Sequence, residues 1–198
     1  MMRVIAGKYR SRRLQAPNGE ATRPTSDRLR ETLFNVLTPR MEGAAFLDLY
    51  AGSGAVGIEA LSRGAASAVF VERAPAALTE LRGNLTSLGI TTGFRIHPGS
   101  ATAFLRRVRE SRPGAFDVVF LDPPYSAANE YAATLDLLGG AAAKLLAAEA
   151  LVIAEHRRKQ RLEDAYGSLH RVRLVEQGDV ALSFYAAGAG DAMEAATE

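Results

Sequence analysis

The chain has 198 residues, a formal net charge of +2, 47% hydrophobic and 23% charged residues, no cysteine and three histidines. That balance suits one medium-sized domain with a sizeable core; it excludes disulfides and thiolate chemistry, and three scattered histidines argue against a dedicated metal site. There is no run of ~20 apolar residues for a membrane span and no signal-peptide core behind the basic start, so a soluble cytoplasmic protein is expected.

Charge is distributed unevenly. Residues 1–40 hold nine Lys or Arg against Glu20, Asp27 and Glu31. Further basic clusters fall at Arg106, Arg107, Arg109 and Arg112 and at Arg157, Arg158, Lys159 and Arg161, whereas the alanine-rich tail from Ala186 has only acids. A polyanionic partner is implied. Lys8, Arg10, Arg12 and Arg13 lie on a short extended segment around Tyr9 and are the strongest candidates to meet it.

In chain order, residues 3–17 read as a basic β-hairpin or extended arm, with Gly7 and Pro17-Asn18-Gly19 as turn signals. Residues 1–20 are therefore set apart as an arm. Thr25 or Ser26 caps a helix with Leu29, Leu33, Val36 and Leu37 on one stripe, and Pro39 is expected just past its end. An alternating pattern follows: strand 46–50, helix 54–63, strand 67–72, helix 75–88, strand 94–97, helix 101–110, strand 116–121, a helical stretch 129–147 and strand 151–155. Strands 169–176 and 180–185 form an antiparallel edge hairpin. Successive βα units predict a doubly wound α/β fold, mostly parallel, over residues 21–186. Residues 187–198 are expected to be disordered.

Two strand ends carry chemistry. The first is Asp48-Leu49-Tyr50-Ala51-Gly52-Ser53-Gly54-Ala55-Val56-Gly57, whose glycines fit G-x-G-x-x-G. Small residues there let a ligand approach the backbone at a helix N-terminus. An anionic Asp48 at the loop mouth repels a pyrophosphate and welcomes an ammonium or sulfonium group. Glu72 ends the next strand, near the ~20-residue spacing of a ribose-binding carboxylate. These features favour S-adenosylmethionine over a nicotinamide dinucleotide.

The second is Asp122-Pro123-Pro124-Tyr125, directly behind the apolar strand 116–121. Neither proline has an N–H, so the sheet stops there. The Asp122 carboxylate and Pro123 carbonyl are paired acceptors suited to an –NH2 group, and Tyr125 offers a stacking face.

Together these motifs resemble the class I S-adenosylmethionine-dependent methyltransferases that modify exocyclic amines. More narrowly, Arg3-Val4-Ile5-Ala6-Gly7, Thr22-Arg23-Pro24-Thr25-Ser26-Asp27-Arg28, Leu33-Phe34-Asn35 and Ala181-Leu182-Ser183-Phe184-Tyr185 make the chain similar to the bacterial methyltransferase D family. The resemblance implies a Rossmann-like fold and methylation of guanine N2 in small-subunit ribosomal RNA, free or in an assembly particle. It implies S-adenosylmethionine held by Asp48, Tyr50, Gly52, Ser53, Gly54, Glu72 and Arg73, with Arg23 and Thr25 near the cofactor. Asp122, Pro123, Pro124 and Tyr125 are the expected catalytic turn, and Arg3, Lys8, Arg10, Arg12, Arg13 and Arg28 the expected RNA contacts. Where the family shows Gly-Asp-Ala, this chain has Gly99-Ser100-Ala101; Ser100 or the Ala101 N–H is then left to recognise adenine. His156 is expected to pack at a strand end. Rival expectations are an adenine-N6 methyltransferase and a non-catalytic RNA-binding assembly factor.

Overall fold

The computed structural model describes residues 2–15, 26–107, 114–124 and 127–188. The expected disordered tail, apart from its first two residues, lies outside them, as do Arg23, Thr25 and Tyr125. The fold is mixed α/β, with mostly parallel strands and an antiparallel edge. The chain divides into two compact units, Met1–Phe104 and Leu105–Glu198.

The first unit opens with the arm. Arg3 and Arg13 form an antiparallel bridge, flanked by hydrogen bonds from the Val4 N–H to the Arg12 carbonyl (2.9 Å) and from the Leu14 N–H to the Met2 carbonyl (3.0 Å). Alternation does the rest: Met2, Val4 and Leu14 are buried while Arg3 and Arg13 are exposed. Gly7 (φ +82°) is required by close approach, because a Cβ there would lie 1.8 Å from the Ser62 carbonyl oxygen.

Helix α1 (Asp27–Met41) is capped by Ser26, whose hydroxyl accepts from the Leu29 N–H. Pro39 sits inside the helix rather than beyond it. In the last turn the ring removes one helical hydrogen bond, a loss tolerable so near the end. Next come β1 (Ala45–Leu49), α2 (Ala55–Ser62), β2 (Ser67–Glu72), α3 (Pro75–Ser87), β3 (Phe94–Pro98) and α4 (Ala101–Arg107). Strands β3, β2 and β1 pair in parallel, in that order. Phe46, Phe70, Leu33, Leu37 and Leu81 make the core, with Phe34 stacked on Phe46.

The second unit contains β4 (Phe116–Leu121), α5 (Asn129–Gly139), β5 (Leu146–Arg157), β6 (Ala165–Tyr166), β7 (Leu169–Gln177) and β8 (Val180–Ala187). Strand β4 pairs with β5 in parallel, and β8, β7 and β6 extend the sheet antiparallel. The helix expected over residues 129–147 stops at Gly139. A Cβ on Gly139 would sit 1.7 Å from the Tyr166 carbonyl oxygen, so glycine is needed for packing and ends the helix as well. The alanine-rich residues beyond it would otherwise favour a helix, but the tertiary contact overrides that propensity. Strand β5 also begins five residues earlier than expected, which a register shift between Phe116 and Val118 absorbs.

Candidate active site

Below β1, the loop 50–54 turns into α2 through residues with unusual backbones. Tyr50 (φ +76°), Gly52 (φ +56°) and Gly54 (φ +84°) all lie in the left-handed region. For Tyr50 this is a strained state that the surrounding structure must hold; its N–H and that of Ala51 both donate to the Val71 carbonyl. The three glycines serve different ends. A Cβ on Gly54 would lie 2.3 Å from Leu81 Cδ1, and one on Gly57 would lie 2.3 Å from Phe70 Cε1, so these two allow α2 to pack on its neighbours. A Cβ on Gly52 would meet nothing within 4 Å. The open side of the loop is therefore at Gly52, where a ligand can reach the backbone.

Two carboxylates brace the loop. Glu72 Oε2 accepts from the Gly52 N–H (2.8 Å), and Oε1 accepts from the N–H groups of Arg73 (2.8 Å) and Ala74 (2.7 Å). A carboxylate offers about four acceptor positions, so one on Oε2 remains for a ligand hydroxyl. Asp48 does not stand at the loop mouth as the sequence suggests. It is buried, with Oδ2 accepting from the Gly57 N–H at 2.9 Å. Burial pushes its carboxyl up to about 7, the Gly57 N–H opposes that rise, and the charge of Glu72 adds to it. Asp48 thus supports the loop from beneath.

The other proposed cofactor residues are arranged as follows. Arg73 is exposed beside Glu72. The Ser100 hydroxyl accepts from the Ala103 N–H (3.2 Å) and so caps α4, and Ala101 is buried in that helix's first turn.

In the second unit, Asp122, Pro123 and Pro124 follow the buried end of β4. Asp122 and Pro124 are half-buried and Pro123 is buried. The Pro124 carbonyl accepts from the Ala127 N–H at 2.8 Å. Ring-locked φ angles stiffen the segment without needing donors of its own.

His156 has the expected packing role. Its Nδ1 lies 2.9 Å from the Arg157 carbonyl, so Nδ1 carries the proton and Nε2 accepts from the Ser183 hydroxyl, also at 2.9 Å. Burial lowers its pKa, keeping the ring neutral between β5 and β8. Among the described residues no cluster of acids or histidines could hold a metal ion, and no helix is long and apolar enough to cross a membrane.

A family model described as conserved hypothetical protein 95 matches residues 2–186. Ribosomal RNA small subunit methyltransferase D of Escherichia coli is 39% identical over 186 residues, spanning 93% of this chain and 89% of that protein. The chain belongs to the ribosomal RNA small subunit methyltransferase D family. The solved structure of the Escherichia coli protein yhhF has a TM-score of 0.80 at 35% identity, covering 94% of this chain and 97% of that one. The rRNA methyltransferase aviRa of Streptomyces viridochromogenes shares the fold alone, with a TM-score of 0.61 at 18% identity over 93% and 92% of the two chains.

In this family member, the basic residues expected to meet RNA divide into two groups. Arg3, Arg10 and Arg28 line a cavity of about 650 Å³ together with Arg63, Asp27 and Glu31. Lys8, Arg12 and Arg13 lie outside it. Arg12 Nη2 donates to the Ser87 carbonyl at the end of α3 (2.8 Å), and the Lys8 ammonium sits 5.3 Å from the Tyr9 ring centre.

The residues that hold the arm belong to no motif in the sequence. Glu59, fully buried on α2, accepts from the Ile5 N–H (2.7 Å), the Ala6 N–H (3.0 Å) and Arg63 Nε (2.7 Å). One turn on, the Ser62 hydroxyl donates to the Ala6 carbonyl (2.6 Å) and accepts from the Tyr9 N–H (3.0 Å). Arg30, buried on α1, donates from Nη2 to the Arg3 carbonyl (2.6 Å) and to Asp27 (2.7 Å). The available signal was the i, i+3 pair Glu59 and Ser62 on one helix face.

Proposed function

We propose that the chain methylates the exocyclic N2 of a guanine in small-subunit ribosomal RNA, with S-adenosylmethionine as methyl donor. What carries this reading is the rigid acceptor turn behind β4 in a chain that matches the methyltransferase D family from residue 2 to residue 186. The fit of the cofactor rests on the loop after β1: open backbone at Gly52, and a half-buried Glu72 with an acceptor position left for a ribose hydroxyl. When bound, S-adenosylmethionine supplies an electrophilic methyl group on a sulfonium.

The protein's part is positioning. Gly52, Ser53 and Gly54 approach the methionine end of the cofactor, Glu72 takes the ribose, and Arg73, Ser100 and Ala101 border the adenosine. Guanine N2 is a poor nucleophile because its lone pair is delocalised into the ring. Asp122 and the Pro123 carbonyl accept its two hydrogens, aim the nitrogen and stabilise the positive charge that develops on it. Asp122 then holds the departing proton until solvent takes it. Tyr125 stacks on a base drawn out of its helix, at an unstacking cost of a few kcal/mol recovered from that pocket and from phosphate contacts. The arm grips phosphates, so binding should weaken steeply with salt. The substrate in this reading is ribosomal RNA, free or in a small-subunit assembly particle, met in the cytoplasm.

Transfer of a labelled methyl group to small-subunit particles lacking the modification, followed by digestion to nucleosides, tests the reading. Label in N2-methylguanosine is expected. Label in N6-methyladenosine would reassign the base, and no transfer at all would reject the enzyme.

A further inference from the structure

One buried side chain touches both the arm and the cofactor loop. Asn84 of α3 is 1% exposed. Its Oδ1 accepts from the Gln15 N–H (2.7 Å), and its Nδ2 donates to the Gln15 carbonyl (2.9 Å) and to the Ser53 carbonyl (3.0 Å). The amide thus meets both backbone groups of Gln15, as a neighbouring strand would, and its remaining hydrogen goes to the loop.

The Ser53 carbonyl belongs to the Ser53–Gly54 peptide, whose plane is fixed. Holding that oxygen sets the direction of the Gly54 N–H, which donates to the Ala51 carbonyl (2.8 Å) and closes the loop. Gly54 then opens α2, and four residues beyond the start of that helix Glu59 grips the arm at Ile5 and Ala6. Glu59, Ser62 and Arg30 hold the arm from helices. Asn84 binds arm and loop at once.

We propose that Asn84 is a positioning residue that couples the two ligands: RNA held on the arm tightens cofactor binding at the loop, and the cofactor tightens RNA binding to the same degree. The inference rests on the assignment of the arm to RNA and of the loop to S-adenosylmethionine. Reciprocity follows from linkage, since a shared contact that favours one bound state must favour the other equally. Asparagine is required at this position by its donors and acceptor. Aspartate keeps the acceptor but faces two carbonyls without a hydrogen to give, and serine supplies one hydrogen where two are used.

The test is equilibrium dialysis of labelled S-adenosylhomocysteine against the full chain, with and without saturating unmethylated small-subunit particles. Particle binding is read separately by co-sedimentation. Wild type is expected to bind the nucleoside about fivefold or more tightly with particles present. In Asn84→Asp and Asn84→Ser that ratio should fall to about one while particles still bind. Glu59→Gln, which loosens the arm without touching the loop, should keep the ratio.

A residue that only stabilised the fold would lower both affinities and leave the ratio intact, and that result overturns the proposal. A wild-type ratio of one, with particles bound, overturns it too while sparing the RNA reading. Particles that sediment without the wild-type chain overturn both. Should both Asn84 variants fail to fold, wild type still decides: S-adenosylhomocysteine must slow hydrogen exchange at the Gln15 amide, and unchanged exchange there refutes the coupling.

Discussion

The loop after β1 and the turn after β4 both end a buried strand, yet they are made rigid in opposite ways. Around the loop, polar side chains hold the backbone: Glu72 on Gly52, Asp48 on Gly57 and Asn84 on Ser53. In the turn, two proline rings fix the chain, and the Pro124 carbonyl accepts from the Ala127 N–H. The first design yields a surface of backbone groups whose shape depends on several distant residues. The second presents a carboxylate and a carbonyl from a segment stiff in itself. A binding site tolerates the former, because small losses of order cost affinity in proportion. A reacting centre gains from the latter, because a displacement of about 1 Å can cost about 10²-fold in rate.

Variants on each side can break or sharpen this contrast. The largest expected effect at the loop is that of Glu72→Ala, which leaves three N–H groups without their acceptor. With charge-assisted bonds worth about 1.5–3 kcal/mol each and partial exposure letting water replace some of them, cofactor affinity should fall tenfold or more. Calorimetry showing unchanged affinity would remove Glu72 from the site.

Next is Gly57→Ala, which drives a methyl into the Phe70 ring. Overpacking of that kind costs about 1–3 kcal/mol and should appear as a lower denaturant midpoint with an unchanged slope. Gly52→Ala meets only open space, so its cost should come from backbone strain at φ +56° and fall on cofactor affinity. Equal loss of stability in the two variants would contradict the distinct roles given to these glycines.

A separate effect is one of pH. Folded Asp48 titrates near 7 against an ordinary value of 3.8. The unfolded chain therefore releases this proton first as pH rises. Its contribution to stability is full below about pH 4 and is lost by about pH 7. Thermal melts of the ligand-free protein should show a decline over that window that Asp48→Asn flattens. An identical profile in the variant would mean the Asp48 carboxyl is already ionised.

Both strand ends were legible in the sequence, for a physical reason. A left-handed loop and a donor-free turn each require particular residue types, glycine and proline, and those stand out in any chain. The supports were not legible. Glu59, Asn84 and Arg30 occupy helix positions where a polar residue ordinarily faces water, and only tertiary packing turns them inward. The same holds for Gly139: in sequence it reads as one more small residue in an alanine-rich stretch, and its contact with Tyr166 appears only once β6 has folded back against α5. Asp48 is marked in the sequence by its place ahead of the glycines, but its burial beneath the loop cannot be read from spacing.

Single-turnover methylation by Asp122→Ala, at saturating S-adenosylmethionine and beside a direct measure of cofactor affinity, addresses the division between the two regions most sharply. The rate should fall by about 10²–10³-fold or more, as it does when one preorganised polar partner of a reacting group is removed, while affinity stays within a factor of about two of wild type. A variant that transfers methyl groups at the wild-type rate, or one that loses cofactor binding and rate together, would contradict the account.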